Sequence, residues 1–512
     1  MTTVACEFNH GFPWYEKDGI YVKGYVFDEN NNLYQKNRLT DYFHGCENEE
    51  DFKRKLERAN GMFCVVIKRN EKTFIGVDRT RTFPLFYAIK ENNFYVSDNT
   101  YFLKNKLSLK QIDRLSQDEF LLTGFVTGEY TLLKNVYQLQ AGQYLVFERD
   151  LKKEYYFTYT VHATADKTHD ILHRELPLIF EEVFQRLITS VDKRTIVIPL
   201  SGGYDSRLIA VILKKLGYEN VICFTYGRHD SREVAISAKV ARKLGYRHIY
   251  VEYYDEVFEK FTDDETFRTY SQFGANHTSV FLLQDFFAVK YMHDRKLIPQ
   301  DSVIVPGHTG DFLSGGHIPA CLRKKREKSR IVTEILKRHY SFKEIPHTQE
   351  FRTKISHQLN EGLSHSCFED WELKERQAKF IVNANRTYEI FGYEHRIPLW
   401  DNALIEFFKY LDITYKLNKK LYNDMLEKTL FSRCGVHFGE KKEGNTFFQK
   451  IKMSIRPYIP KSIFNTYKSK KDTTCFYPVS KKLFDTLRNT DGVDIWNDNS
   501  VIAHWYMESV IE

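Results

Sequence analysis

The stretch TIVIPLSGGYDSRLIAVILKKLG (195–217) constrains the fold more than any other part of the chain. An apolar run of strand length breaks into Ser-Gly-Gly-Tyr-Asp-Ser, and apolar positions resume at helical spacing from about residue 206. Strand, glycine turn and helix in that order belong to a parallel sheet wrapped by helices, where ligands sit beyond the carboxyl ends of the strands. The glycines are expected to take positive φ and to turn several N–H groups around one concave pocket. The helix N-terminus adds partial positive charge, so the turn suits phosphate. Ser201 and Ser206 can donate hydroxyls to the same oxygens, beside Gly202 and Gly203. Asp205 would repel a bare phosphate, and its presence makes sense where Mg²⁺ bridges the two. The turn fits neither GxxxxGK[ST] nor GxGxxG, so no Walker-type or dinucleotide site is expected. A plain strand-to-helix turn is the alternative reading of G-G-x-D alone.

A chain of 512 residues is too long for one ordinary core, so two or three domains are expected. Hydrophobic residues at 42% and charged residues at 28% mark it as globular. The N-terminus MTTVACEFNHGF lacks a basic segment followed by an apolar one, and no apolar run is long enough to span a bilayer. The cysteines (Cys6, Cys46, Cys64, Cys223, Cys321, Cys367, Cys434, Cys475) form no CxxC pair, which fits a reducing cytoplasmic setting and argues against a zinc ribbon. The net charge of +7 permits a phosphate-bearing partner without demanding one.

Residues 1–160 alternate in the strand manner, as in IYVKGYVF (20–27), MFCVVIK (62–68), TFIGVD (73–78), LFYAI (85–89), NFYVS (93–97) and QYLVFE (143–148), with a short helix at EEDFKRKLERA (49–59). After the polar stretch HATADKTHD (162–170), strands alternate with helices: TIVIPL (195–200), VICFTY (221–226), HIYVEY (248–253) and SVIVPG (302–307), with helices from about 206 and over 231–244. From about 320 the pattern is mostly helical. The basic stretch QKIKMSIRPYIPKSIFNTYKSKKD (449–472) reads as a solvated helix end and loop, with an anionic membrane surface as the other reading.

SGGYDS resembles the pyrophosphate loop of the ATP pyrophosphatase superfamily, whose members split ATP to AMP and pyrophosphate while adenylating a substrate. Within it the chain resembles the asparagine synthetase and β-lactam synthetase family over nearly its whole length. VPGHTGDFLSGGH (305–317) is similar to that family's G-x-G-x-D-E-x-x-x-G segment, which places Gly307 at the nucleotide and Asp311 as a second magnesium carboxylate beside Asp205. NRTYEIFGYEHRIPLWD (385–401) is similar to its D-R-…-G-x-E-x-R-x-P-F-L-D segment, with Arg386, Glu394, Arg396, Pro398 and Asp401 in register. GMFCVVIKRNEKTFIGVDRTRTFPLFYA (61–88) and TGFVTGEYTLLKNVYQLQAGQYLVF (123–147) look like its class II glutamine amidotransferase segments. The resemblance implies an α/β fold. An α+β sandwich of the N-terminal-nucleophile hydrolase type over 1–162 precedes a parallel-sheet ATP-pyrophosphatase part over 170–512, helical towards its end.

Three departures shape the expected chemistry. Thr2 stands where an active glutaminase of this class carries its nucleophilic cysteine, Cys6 has no free amine, and the glutamine-holding R-G-P-D stretch is missing, so glutaminase activity is not expected. His308 stands where asparagine synthetases carry glutamate and β-lactam synthetases tyrosine, and a histidine there suits taking a proton from an amine or ammonium. A pocket histidine that orients substrate is the other reading of His308. Phe312 replaces a family glutamate. The resemblance also implies a late lysine facing the phosphates, placed at Lys420 in NKKLYNDML (418–426) with Lys419 the alternative, and binding-site support from Glu233.

The expectation is therefore an ATP- and Mg²⁺-dependent ligase that adenylates a small-molecule carboxylate for attack by an amine or ammonia, with catalytic His308 and Lys420. Amidation of a sugar acid for surface polysaccharide is one alternative. A tRNA-modifying enzyme and a non-catalytic scaffold are the others, and no nucleic-acid partner is expected. SQFGANHTSVF (271–281) falls in the region, 254–300, expected to choose the substrate. The oligomeric state stays open.

Overall fold

A computed structural model describes residues 1–342, 348–438, 472 and 474–511. All but the last residue of the basic stretch 449–472 lies outside them.

The N-terminal strands are β1 (Thr2–Ala5), β2 (Tyr15–Lys17), β3 (Ile20–Phe27), β4 (Leu33–Gln35), β5 (Asn60–Arg69), β6 (Lys72–Val77), β7 (Phe86–Lys90), β8 (Asn93–Ser97), β9 (Tyr137–Gln138), β10 (Gln143–Phe147) and β11 (Leu151–Tyr155). They build a seven-stranded sheet, β11-β10-β6-β5-β3-β2 with β4 on β3, and a four-stranded sheet, β1-β8-β7-β9. Every pairing is antiparallel except β1 with β8. Period-two alternation explains the layering. Cys64, Val66, Ile75 and Leu145 face Tyr87, Phe94 and Val96 of the smaller sheet, with Phe94 stacked on Phe147 at 4.4 Å. Phe63, Val65, Ile67 and Phe74 face the other way, onto the helices Leu39–Phe43 and Glu49–Arg58.

The third sheet is wholly parallel: β12 (Ile196–Pro199), β13 (Val221–Gly227), β14 (Arg247–Glu252), β15 (Val303–Ile304) and β16 (Glu394–His395), in the order β14-β13-β12-β15-β16. The central strand β12 therefore ends at the glycine turn with a parallel neighbour on each side, the geometry that opens a crevice at the strands' carboxyl ends. The helix Tyr204–Lys215 leaves that turn, and Leu208, Ile209, Val211 and Ile212 bury its apolar face. The expected mixed α/β architecture, sandwich first and parallel sheet second, is what the chain forms.

Apolar packing is continuous from one half to the other, because Cys64 and Phe94 belong to the same buried cluster as Ile198, Leu208 and Phe408. The segment NRTYEIFGYEHRIPLWD supplies the polar ties. Asp401 receives Arg186 through two bonds of 2.8 Å and Asn60 through one of 3.1 Å. Buried Arg386 donates to Thr82 O at 2.9 Å and pairs with Glu389 at 2.7 Å. Arg396 pairs with Glu394 at 2.8 Å and lies over Tyr25. These in-register residues clamp the two halves together.

Candidate functional site

The turn after β12 is closed on itself by its serines. Ser206 Oγ accepts from Ser201 N–H at 3.1 Å, the two hydroxyls lie 3.1 Å apart, and Ser201 Oγ accepts from Gly203 N–H at 3.1 Å. Buried Arg207 braces the turn from behind, donating to Gly202 O at 2.8 Å and to Val436 O at 3.1 Å. The expected positive φ is not found at Gly202 or Gly203, and Gly203 is extended at φ −76°. Packing does not require glycine at either position. A Cβ on Gly202 would meet Glu233 Cγ at 3.4 Å, and one on Gly203 would meet Ser201 Oγ at 3.3 Å. Glu233 sits in the first turn of the helix Arg232–Leu244, beside Gly202.

Positive φ appears on the second loop. Thr309 is held at φ 86°, a region costly for a β-branched residue, and its buried Oγ1 meets no hydrogen-bond partner. Two glycines let this loop close onto the first. A Cβ on Gly307 would lie 2.5 Å from Ser206 N, and one on Gly310 would lie 2.2 Å from the Asp205 carboxyl group. The loop 307–311 therefore packs against the S-G-G-Y-D-S turn and delivers Asp311 to Asp205.

The two acids face different surroundings. Asp205 accepts from Tyr422 Oη at 2.7 Å and from the Asp311 N–H. Burial first, and the Asp311 charge second, push its carboxyl up to about 7. Asp311 is solvent-exposed and pairs with Lys419 Nζ at 2.9 Å. The lysine assignment changes accordingly: Lys419 reaches the acid pair, and Lys420, one residue on at the start of the helix Lys420–Met425, is exposed. The left-handed backbone of Asn418 (φ 59°) and Lys419 (φ 57°) turns the first lysine inward. Two close carboxylates with a single lysine leave excess negative charge, and Mg²⁺ is commonly held by one or two carboxylates plus substrate phosphates, so this donor set fits it.

His308 lies between Gly307 and Gly310 on the same loop, with a different set of neighbours. Its Nδ1 is buried without a hydrogen-bond partner. Desolvation lowers its pKa, against an opposing pull from the Asp285 carboxylate and the Asn385 side chain. The imidazole is therefore neutral at neutral pH and able to accept a proton. Asp285 accepts from Tyr226 Oη at 2.6 Å and Tyr388 Oη at 2.5 Å, which places a fixed negative charge at the end of β13. Asp285 in LLQDFF and Tyr422 in NKKLYNDML lie outside the motif positions, and neither has a local pattern that marks it.

Comparison with known proteins agrees with this architecture. The family model for asparagine synthase matches residues 182–434, and that for a glutamine amidotransferase domain matches 49–158. The protein named glutamine-hydrolyzing asparagine synthetase 2 in Methanocaldococcus jannaschii is 24% identical over 51% of this chain and 51% of its own length. The microcin J25-processing protein McjC of Escherichia coli is 24% identical over 37% of this chain and 36% of its own. The glutamine-hydrolyzing asparagine synthetase of Mus musculus is 24% identical over 74% of this chain and 61% of its own. The chain thus spans about half the length of the relatives it matches. With both domain models in order along it, the chain belongs to an asparagine synthetase-like family. Among the described residues, no helix is long and apolar enough to cross a membrane.

Proposed function

We propose that this chain is an ATP-dependent amide-forming ligase that adenylates a small-molecule carboxylate for attack by an amine or ammonia. The observation that carries the reading is the meeting of Asp205, Asp311 and Lys419 at the serine-closed turn, made possible by Gly307 and Gly310. In the first step a carboxylate oxygen of the substrate bonds to the α-phosphorus of ATP, the α–β phosphoanhydride bond breaks, and pyrophosphate leaves. Ser201, Gly202, Gly203 and Ser206 cradle the pyrophosphate with hydroxyls, N–H groups and the helix N-terminus. Asp205 and Asp311 would hold Mg²⁺, which supplies neutralisation of phosphate charge. In the second step the amine nitrogen bonds to the acyl carbon, His308 takes the nitrogen's proton, and the acyl carbon–oxygen bond to AMP breaks. Lys419, in place of Lys420, offers positive charge to the oxyanion and the α/β-phosphates.

The nitrogen comes from free ammonia, a partner's ammonia or a substrate amine on this reading, with residues 1–162 as a scaffold. Cys6 supports this: burial and then Asp98 push its thiol far up, which removes the thiolate a glutaminase needs. The missing R-G-P-D stretch supports it too, because the segment between residues 10 and 25 is too short to hold one. The test is pyrophosphate release from Mg-ATP with ammonium and a panel of aspartate, uronic acids and amino-acid derivatives. Release that needs one acid and disappears in Asp205→Ala supports the ligase. No release with any acid, together with no Mg-ATP binding, refutes it.

A further inference from the structure

A cavity of about 970 Å³ opens away from the glycine turn, between the β10–β11 hairpin and the loop 128–130 on one side and the helices Thr348–Gln358 and Ser364–Glu372 on the other. None of its lining residues belongs to the turn, to the loop 307–311 or to the His308 surroundings. Its size lies within the range of ligand pockets.

Charge is abundant on its walls, and much of it is already paired. Lys354 pairs with buried Glu119 at 2.5 Å, Lys374 with Asp370 at 2.8 Å, Glu375 with Lys379 at 2.6 Å, and Lys153 with Glu129. An ion entering the cavity would compete with pairs already made, so a neutral ligand fits it better. Carboxamides add uncharged polarity. Gln140 and Asn360 commit their amide nitrogens to Gly128 O and Asp370, and Gln143 commits its oxygen to Gln140 N–H. Two amide carbonyls and one NH₂ group are left to bind donors and acceptors together.

The apolar element is aromatic. Of the eight large hydrophobic side chains exposed among the described residues, two line this cavity: Tyr130 at 46% exposure and Tyr155 at 41%. Lys354 lies over Tyr130 at 5.0 Å and Lys374 over Tyr155 at 4.3 Å, which holds each ring at the cavity wall while a large part of it stays exposed. Ring faces flanked by amides and balanced charge match a molecule with apolar C–H faces and hydroxyl edges. A strand-forming peptide fits less well. Gln143 and Tyr155 are paired in register and Lys153 stands two residues from Tyr155, so the cavity meets a face of the hairpin rather than the free edge of β11.

We propose that this cavity is a binding site for a neutral oligosaccharide of about two or three sugar rings, a length the volume allows. Tyr130 and Tyr155 stack on the rings, and the amides of Gln140, Gln143 and Asn360 bond the hydroxyls. The site is independent of the adenylation chemistry.

Saturation-transfer NMR on the full chain tests it with maltotriose, cellotriose and N-acetylchitotriose. At least one trisaccharide is expected to bind at millimolar concentration or below. Binding should weaken by about tenfold in Tyr155→Ala and Tyr130→Ala, and should survive in Tyr155→Phe and Tyr130→Phe, which keep the ring face. Unchanged Mg-ATP binding in the alanine variants would show that they are folded. The proposal is overturned if no trisaccharide binds, if the alanine variants bind as the wild type does, or if an extended peptide shows the tyrosine dependence in place of the sugars.

Discussion

Replacing Asp205 by Asn should make the ligand-free protein more stable and at the same time remove its response to Mg-ATP. In the folded chain, burial and then the Asp311 charge raise the Asp205 carboxyl from 3.8 to about 7. A group whose folded pKa is raised binds more protons in the native state than in the unfolded one, so ionising it costs stability as pH rises. The cost is absent below about pH 4, grows between about 4 and 7, and is complete above. At about 1.4 kcal/mol per unit the shift corresponds to an upper bound of ~4 kcal/mol at pH 7.5. Asp205 keeps some solvent contact and two donors, Tyr422 Oη and the Asp311 N–H, so ~2 kcal/mol is the expected gain. Asn keeps an acceptor for Tyr422 and carries no charge. Urea unfolding of both proteins at pH 7.5 and pH 5 measures the difference. The variant should be more stable by ~2 kcal/mol at pH 7.5 and by less than half of that at pH 5. Saturating Mg-ATP should stabilise the wild type and not the variant. A variant less stable than the wild type at pH 7.5, or a gain equal at both pH values, would refute the claim that ligand-free Asp205 is electrostatically frustrated.

Four further outcomes follow from the same geometry. Gly310→Ala places a Cβ about 2.2 Å from the Asp205 carboxyl group, so calorimetric Mg-ATP binding should be lost and stability should fall by ~2 kcal/mol or more. Thr309→Gly relieves φ 86° and removes a buried hydroxyl without a partner, and should raise stability by ~1 kcal/mol after the entropy cost of glycine, read by urea unfolding. Because burial lowers the His308 pKa, its neutral form persists below pH 6.5, so the acid limb of kcat/KM for amide formation should lie below 6.5 and disappear in His308→Gln. Tyr422→Phe removes the donor that fixes Asp205 Oδ1 while its ring stays packed near Phe180 and Phe408, so Mg-ATP affinity should drop by about tenfold with the unfolding midpoint little changed.

What the sequence made legible was what local pattern determines. Period-two runs such as IYVKGYVF marked β3 to the residue, because one face of that strand (Ile20, Val22, Val26) packs with Phe63 and Val65 against the helix Leu39–Phe43 and a slip would expose it. The short strands Thr2–Ala5, Tyr15–Lys17, Leu33–Gln35 and Leu151–Tyr155 carry too few buried positions for such a pattern and become visible only through their partners. The strand Glu394–His395 was hidden in the same way, inside a segment noted for its charged residues.

The site divides along the same line. Ser201 and Asp205 could be singled out because short-range spacing, strand then S-G-G-x-D-S then helix, is written in the chain, whereas Asp311 was marked by the resemblance of 305–317 to a family segment. The partner from the late helical region could not be placed by spacing, since Lys419 and Lys420 are chemically identical neighbours. Two consecutive left-handed residues, Asn418 and Lys419, decide between them. Backbone conformation of this kind, costly away from glycine, is imposed by what the flanking elements pack against. Here Lys416, three residues earlier, is buried in an ion pair with Glu369 at 2.6 Å, and Leu421, two residues later, is fully buried. The chain between these two anchors is short, and the left-handed turn that spans them directs Lys419 at Asp311. The same kind of anchoring applies to Thr309, held at φ 86° between two glycines that pack onto the first turn. Close approach governs only the second loop, where Gly307 and Gly310 bring its backbone within contact of Ser206 and Asp205.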